Sequence, residues 1–283
     1  MPAITRDNVY RLYLDFLETA ENKRGWSIFN DIPWNELDAA RVTRTTGQAL
    51  ELFCSEEMYV PDYSSNGLQL VRSMFGMAWF QTRWAFEESK HGLVFREYLT
   101  RSGLRSEAEF AALESCVFAN LWTLPFATAR QMACYGALQE GATYAAYKAQ
   151  REKAREAGDK VLEAIFFYVG RDEAAHGGFY RALIELELAQ DHEGTIADLA
   201  YVFSKFKMPG DGLIPNYKER LVSSGAGVTP RVFLEHVVWP VLTTLKIGRE
   251  ELKLALKKLA ASTISNLSPT CGRSAARQPR LTS

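Results

Sequence analysis

The sequence is poor in cysteine and has no excess of basic residues, so it lacks the features of disulfide frameworks and nucleic-acid-binding surfaces. Its 283 residues include only four cysteines, widely spaced and without a Cys-x-x-Cys pair, which argues against a thiolate metal site and indicates reduced thiols. We expect Cys54, Cys116 and Cys134 in the core and Cys271 in a tail. Lysine and arginine number 33 against 34 acidic residues, and this balance gives no support for nucleic-acid binding.

Long apolar runs are also lacking. The most apolar stretch, residues 116–129, is too short for a transmembrane helix and is interrupted by Pro125. The opening segment, MPAITRDNVY, is polar, and we expect no signal peptide there. Together with the cysteine usage, these features predict a cytoplasmic protein without a membrane span.

Alternating strand patterns are nearly absent, whereas helical periodicity and good helix formers run through most of the chain. We therefore predict an all-α protein. Residues 1–261 are expected to form a single helical domain, and residues 262–283, which lose apolar periodicity, a disordered tail. The predicted helices are 6–22, 36–64, 70–101, 106–120, 126–156, 159–190, 194–206 and 230–261.

Local signals predict several helix boundaries. Asn35 is expected to cap the second helix, and Ser106 with Glu109 fits a capping box. Gly158 followed by Asp159 predicts a helix end and, directly after it, the cap of the next helix.

Two of the four histidines stand in similar motifs, EESKHG and DEAAHG. Residues three apart on a helix lie on one face, so Glu88 with His91, and Glu173 with His176, can each address one point. Apolar residues at three- and four-residue spacing surround both motifs, which places them on seams that face a bundle core. A buried carboxylate is costly unless something compensates it, and a metal ion binds carboxylate oxygen and imidazole nitrogen together.

Two further glutamates lie on apolar helix faces upstream of these motifs. Glu57 precedes Glu88 by 31 residues, and Glu140 precedes Glu173 by 33. Residues at equal height in an antiparallel helix pair are equidistant from the turn. The midpoint of the second pair falls beside the helix break predicted at 158, and that of the first pair falls near 72 and 73.

The chain therefore contains an approximate repeat, a Glu followed about 32 residues later by Glu-x-x-His. Folded as a four-helix bundle, this repeat brings four carboxylates and two imidazoles to one centre. That ligand set is typical of carboxylate-bridged di-iron bundles. Glu56 competes with Glu57 as a ligand, and Glu87 with Glu88; we prefer Glu57 and Glu88.

These motifs resemble those of the soluble acyl-carrier-protein desaturases of the stearoyl type. EEMYVPDY resembles their first ligand motif, in which a Glu precedes a Pro by four positions, and this register selects Glu57. WAFEESKHG, QEGATY and GRDEAAHGGFY resemble the second, third and fourth motifs. The resemblance spans most of the chain, and its segment lengths are closer to those of the bacterial branch.

The resemblance implies a ferritin-like four-helix bundle with a di-iron core and additional flanking helices. The implied cofactors are two non-haem iron ions, for which manganese is a possible substitute, with O₂ as co-substrate. Glu88 and Glu173 would bridge the two ions. The implied metal ligands are Glu57, Glu88, His91, Glu140, Glu173 and His176.

The resemblance also implies roles for residues around the metal ligands. Thr143 would lie on the oxygen-binding side and assist proton delivery. Asp172 would bond near a ligand histidine and, with His91 and a surface tryptophan, form an electron-entry route from ferredoxin. Trp26 in KRGWSIFNDIPW matches that tryptophan better than Trp34 does.

The implied activity is oxygen-dependent desaturation of a fatty acyl chain bound to acyl carrier protein, by a homodimeric enzyme that takes electrons from ferredoxin. The alternative is a related di-iron oxygenase, a hydroxylase or N-oxygenase that acts on a carrier-bound or small-molecule intermediate. Iron storage is a third interpretation, but the chain is too long for that role.

Overall fold

The computed structural model describes the backbone of residues 3–267 and the side chains of residues 6–261. Every regular element in that range is helical, so the all-α prediction is confirmed. The α-helices are α1 (Ala3–Thr19), α2 (Arg44–Glu57), α3 (Val60–Val71), α4 (Phe75–Arg101), α5 (Glu107–Phe118), α6 (Ala129–Ala157), α7 (Lys160–Gln190), α8 (His192–Lys205), α9 (Tyr217–Ser224), α10 (Pro230–Phe233), α11 (Trp239–Thr244) and α12 (Arg249–Leu267).

Two antiparallel helix pairs form the bundle that positions the candidate site. In one pair α6 packs along α7, and in the other the consecutive helices α2 and α3 pack along α4. The antiparallel course of α2 and α4 shows in two contacts: Cys54 lies against Gly92, and Gly47, near the start of α2, lies beside Leu104, just after the end of α4. α1 covers α4 and α7, while α8 lies against α6 and α7 and carries α12 on its outer side.

The turn between α6 and α7 forms as the sequence predicts. Gly158 ends α6 in the left-handed region at φ 71°, a conformation that glycine adopts without the steric cost of a Cβ. The Asp159 carboxylate then accepts a hydrogen bond of 2.9 Å from the backbone N–H of Leu162 and caps α7. The capping box of Ser106 and Glu109 at the start of α5 is likewise confirmed.

The predicted helix 36–64 is wrong as a single element. Residues 34–36 form an isolated 3-10 turn, so Asn35 caps no α-helix, and α2 instead begins after Thr43, whose hydroxyl accepts from the N–H of Thr46. A second break separates α2 from α3. Pro61 lies in the first turn of α3, where its ring would clash with the carbonyl four residues earlier, so the helix cannot run straight through from Glu57.

The predicted C-terminal helix 230–261 is also interrupted. A π-helical turn, Leu234–Val238, precedes Pro240, which has no N–H to donate to an ordinary helical ladder. Lys246 then adopts a left-handed conformation at φ 56° before α12 begins. α12 reaches Leu267, past the predicted domain end at 261, and the remainder of the predicted tail lies outside the described residues.

The described cysteines depart from expectation at one position. Cys54 and Cys134 are buried, and burial raises the pKa of both thiols, to about 12 for Cys134. Cys116 is exposed on α5 rather than in the core, while Cys271 lies outside the described residues.

None of the helices that the structure describes is long and apolar enough to cross a membrane. A cytoplasmic location stays a prediction.

Candidate metal centre

The structure brings all six sequence-predicted ligands together at the centre of the bundle. Glu57 is the last residue of α2, and α4, α6 and α7 supply the others. They form two groups, and within each group one possible ligand atom per residue lies within 4.8 Å of the others. Both groups contain Glu88 and Glu173, the two residues expected to bridge the metal ions. The first group adds Glu57 and His91, and the second adds Glu140 and His176.

Both imidazoles present Nδ1 to the carboxylates. His176 Nδ1 lies 2.8 Å from Glu88 Oε1, and His91 Nδ1 lies 3.1 Å from Glu88 Oε2. His91 Nδ1 also lies 3.3 Å from Glu173 Oε1. Both histidines and Glu140 are completely buried, so this cluster has almost no access to bulk water.

Many of the inward-facing atoms lie close to one another but not at the angles that a hydrogen bond requires, so they have no hydrogen-bond partner. Six such atoms are buried there: Glu88 Oε1, His91 Nδ1, Glu140 Oε2, Glu173 Oε1, Glu173 Oε2 and His176 Nδ1. Most buried polar atoms in proteins do have a partner, because leaving them unpaired is costly. Metal ions would satisfy all six at once, and the donor set of four carboxylates and two imidazoles fits a pair of iron or manganese ions.

The charge of the cluster also requires compensation. Burial raises the pKa of Glu57 and of Glu173 well above the usual range, and the neighbouring Glu88 carboxylate adds to both shifts. Burial opposes ionisation of Glu88 as well, but His91 and His176 overcome it and lower its pKa to about 2. Bound cations would favour ionisation of all four carboxylates, so metal binding there is expected to release protons.

The outer nitrogen of each histidine meets an acidic residue from the opposite helix. His91 Nε2 on α4 lies 3.4 Å from Asp172 Oδ2 on α7, and His176 Nε2 on α7 lies 2.9 Å from Glu87 Oε2 on α4. An acceptor at Nε2 favours the tautomer with its proton there, which leaves Nδ1 free to bind a metal. Sequence reasoning gave this position to Asp172 but assigned no specific contact to Glu87, which it placed outside the ligand set. The signal was available, because Glu87 precedes Glu88 just as Asp172 precedes Glu173.

Trp26 connects to the same cluster. Its indole Nε1 donates a hydrogen bond of 2.7 Å to Asp172 Oδ2, the same oxygen that lies 3.4 Å from His91 Nε2. Trp26 is only 8 % exposed, so it lies just beneath the surface rather than on it, where the sequence analysis expected it. The rings of Trp26 and Tyr168 are stacked with centroids 5.3 Å apart. Trp34 instead donates to the carbonyl of Ile28.

Glu56 points away from the ligand cluster, unlike Glu57. It accepts a hydrogen bond from the Tyr217 hydroxyl, and burial raises its pKa to about 7. It lines two cavities, both of which are also bordered by Thr143 and Met208. The smaller, of about 60 Å³, includes Glu57 and Glu88 in its wall. The larger, of about 440 Å³, is mostly apolar.

Thr143 lies where the two cavities approach each other. Its Oγ1 donates to the Gln139 carbonyl at 3.1 Å and accepts from Gln139 Nε2 at 3.2 Å. The exposed side chains of Lys207 and Lys218 border the larger cavity, whose walls include Phe206 and Phe233. The larger cavity is therefore an apolar space with positive charge at its rim, close to the candidate metal centre.

An all-α bundle with two buried carboxylate–imidazole groups defines a ferritin-like metal-site protein. A protein-family model described as Fatty acid desaturase matches residues 56–232, and the chain belongs to that family. It is 27 % identical over 206 residues to DesA1 of Mycobacterium tuberculosis, from strains CDC 1551 / Oshkosh and ATCC 25618 / H37Rv, a protein whose name places it among the acyl-[acyl-carrier-protein] desaturases. That match covers 64 % of this chain and 60 % of the relative, so the chain spans about three-fifths of its length.

Solved structures share the fold. An acyl-ACP desaturase structure, DesA2 of Mycobacterium tuberculosis H37Rv, matches with a TM-score of 0.62 at 20 % identity and covers 90 % of this chain and 100 % of its own. An R2-like ligand-binding oxidase from Sulfolobus acidocaldarius matches at 0.57 with 16 % identity, covering 87 % and 91 %. A variant R2-like oxidase with a reconstituted Mn/Fe cofactor matches at 0.50 with 15 % identity, covering 92 % and 94 %. The predicted ferritin-like fold is confirmed.

Proposed function

We propose that this chain is an oxygen-dependent desaturase of fatty acyl chains carried by acyl carrier protein. The observation that carries the proposal is the pair of buried ligand groups that share Glu88 and Glu173, next to a largely apolar cavity. Membership of the fatty acid desaturase family and similarity to DesA1 support the reaction and the carrier-bound substrate.

The six residues of the two groups would hold two iron ions, with Glu88 and Glu173 between them. The Mn/Fe cofactor of a protein with this fold supports manganese as a substitute. When bound, the metal pair supplies activation of O₂ for removal of two hydrogen atoms from neighbouring methylene groups. The chain's part is to hold the ligands, exclude water and position the substrate.

Water exclusion comes from aromatic side chains around the ligand cluster. Phe53, Phe95, Tyr147 and Phe166 contact one another in tilted and edge-to-face arrangements directly beside it. Thr143 is the residue we propose for proton delivery. Its hydroxyl hydrogen is directed to the Gln139 carbonyl, and rotation about χ1 would turn the same hydrogen toward the cavities that Thr143 borders.

The larger cavity is the proposed path of the acyl chain. Its apolar walls suit a hydrocarbon, and the wall it shares with the smaller cavity leads toward Glu57 and Glu88. Lys207 at its rim, together with Lys218, which also pairs with Asp211 at 3.3 Å, would attract an acidic carrier protein, since complementary charge steers association.

Electrons are proposed to come from ferredoxin through Trp26, Asp172 and His91. The continuous contacts from the indole through the carboxylate to the imidazole support this route. Lys90 Nζ lies 4.0 Å from the centre of the Trp26 ring and adds positive charge on the outer side, which would suit an acidic donor protein.

A homodimer is proposed from an apolar stripe on α4. Phe75, Trp79, Phe86 and Leu93 are each at least half exposed, and their spacing of four and seven residues places them on one face, opposite Glu88 and His91. Exposed apolar surface of this kind marks an interaction site. A second copy of the same chain is a suitable occupant, because a helix stripe can pair with itself about a two-fold axis.

The test is product analysis with the iron-loaded protein, O₂, ferredoxin, its reductase and a panel of acyl carrier proteins bearing different chains. We expect a product two hydrogen atoms lighter than the substrate, detected by mass spectrometry, and no product from a Glu173→Ala control. An alcohol or N-oxide would instead favour the related oxygenase. No turnover across the panel by fully metal-loaded protein would contradict the proposed activity.

A further inference from the structure

Arg24 lies behind the candidate metal centre, between the two acidic residues that contact the histidines. Its Nη1 donates to Asp172 Oδ1 at 2.5 Å and to Glu87 Oε2 at 3.0 Å, and its Nη2 lies 3.2 Å from Glu87 Oε1. The side chain is only 6 % exposed. One guanidinium thus binds two carboxylates that arise from different helices and meet different histidines.

The contacts continue to both imidazoles. From Arg24 one path runs through Glu87 to His176 Nε2, and the other runs through Asp172 to His91 Nε2. Arg83 also contacts Glu87, and Trp26 also contacts Asp172, but in the described part of the chain Arg24 is the residue hydrogen-bonded to both. The position of each imidazole therefore depends on a common group.

Arg24 is itself held firmly. It ends the π-helical turn Ala20–Arg24 after α1, outside the helices that carry the ligands. Its backbone carbonyl accepts a hydrogen bond of 2.6 Å from Arg171 on α7, and its guanidinium lies 4.9 Å from the centre of the Phe16 ring. The backbone of Arg24 is thus tied to α7, and its side chain packs against α1.

We propose that Arg24 is a positioning residue for the metal centre, a single brace that orients both ligand histidines through Glu87 and Asp172. The planar guanidinium offers several donors in a fixed geometry, so it can hold two carboxylates at a set separation. Each carboxylate in turn fixes the ring orientation of its histidine and strengthens Nδ1 as a donor. The inference rests on the proposed metal centre and extends it to a residue outside the ligand helices.

If Arg24 supports both histidines, a single substitution of Arg24 should weaken metal binding at both positions. Arg24→Gln should weaken metal binding at both positions, by about 10- to 100-fold as is usual when support of a ligand histidine is lost. Glu87→Gln should weaken mainly the position that contains His176, and Asp172→Asn mainly the position that contains His91. Arg83→Gln is the matched control, because Arg83 contacts Glu87 but not Asp172 and is 24 % exposed. Its effect should be small and confined to one position.

The measurement is anaerobic titration of the full chain with Co²⁺ against a competing chelator, followed by absorption spectroscopy. Two binding constants and the Co²⁺ band positions report the ligand geometry without any turnover. The Arg24→Gln change should have little further effect in a Glu87→Gln, Asp172→Asn double variant, because residues that act in series are not additive. Circular dichroism checks that each variant is folded.

Unchanged binding constants and an unchanged Co²⁺ spectrum in folded Arg24→Gln would overturn the brace. If that variant does not fold, Arg24→Lys replaces it: the charge remains, the planar fork is lost, and unchanged Co²⁺ affinity would overturn the proposal equally. Wild-type protein that binds fewer than two Co²⁺ ions would overturn both the brace and the metal centre. Two tightly bound ions without any acyl product would contradict the proposed activity alone.

Discussion

The indole Nε1 of Trp84 donates a hydrogen bond of 2.9 Å to Glu140 Oε1 inside the bundle. The bond occupies one carboxylate oxygen and leaves Oε2 without a hydrogen-bond partner, 3.8 Å from His176 Nδ1. The Tyr147 hydroxyl likewise donates a hydrogen bond of 2.8 Å to Glu57 Oε1. Aromatic donors thus orient Glu57 and Glu140, the two carboxylates that the ligand groups do not share.

Trp84→Phe tests this orientation, because it removes the donor and keeps most of the ring volume. We expect about tenfold weaker metal binding at the position that contains Glu140, the lower end of the effect of losing a supporting contact. The other position should be unaffected. Chelator competition measures both constants, and Trp122→Phe, on a cavity wall without a described contact to Glu140, is the control. Equal affinity in the Trp84 and Trp122 variants would show that the indole bond has no such role.

Adjacent glutamates give a sharp test of the ligand assignment. Glu57→Ala should lower the iron content of purified protein below two per chain, because it removes a ligand of one group. Glu56→Ala should leave the content at two, since that side chain bonds to Tyr217 instead. Iron is measured by colorimetric assay on folded protein. Loss of iron in the Glu56 variant alone would reverse the assignment.

Trp26→Phe tests the route for electrons. The indole bond to Asp172 is lost while an aromatic ring remains, so two metal ions should still bind. Turnover driven by ferredoxin should fall several-fold, whereas turnover driven by hydrogen peroxide, which needs no such route, should change little. Trp34→Phe is the control, since Trp34 bonds to the Ile28 carbonyl. Equal slowing of the ferredoxin-driven and the peroxide-driven turnover would argue for a structural role only.

The ligands were predictable because they depend on local geometry. Three-residue spacing on a helix places Glu88 beside His91, and equal distances from a turn place Glu140 beside Glu173 once Gly158 fixes that turn. Arg24 could not be predicted in this way. Its partners Glu87 and Asp172 are 63 and 148 residues away, and the π-helical turn that carries it depends on packing of α1 against the bundle.

The break after Glu57 shows a second limit of local patterns. Apolar periodicity continues across residues 58 and 59, so it predicted one helix, although Pro61 was a visible signal against it. Periodicity reports which face is buried but is insensitive to a short interruption that preserves that face. The prediction of one helix over 230–261 was wrong for the same reason, because the π-helical turn before Pro240 keeps Val237 and Val238 buried.

Stability depends on a buried bond at the α6–α7 turn. The Tyr98 hydroxyl donates to Asp159 Oδ2, while Asp159 Oδ1 caps α7. Asp159→Ala should lower the free energy of unfolding by about 2–3 kcal/mol, from the lost cap and the unpaired hydroxyl. Tyr98→Phe should cost about 1 kcal/mol, because the cap remains. Urea unfolding of metal-free protein measures both, and a larger cost for Tyr98→Phe would contradict this division.

The α4 stripe predicts the state of assembly. Trp79→Glu combined with Phe86→Glu places two negative charges on the face that a second copy would cover, and burying unpaired charge is costly. The wild-type chain should sediment as a dimer and the double variant as a monomer. The change lies on the face opposite Glu88 and His91, so the monomer should retain its metal content.

Lys257→Glu with Lys258→Glu on α12 is a charge-changing control that should leave the dimer intact. A wild-type monomer at micromolar concentration, or a double variant that stays dimeric, would exclude this stripe as the homodimer interface.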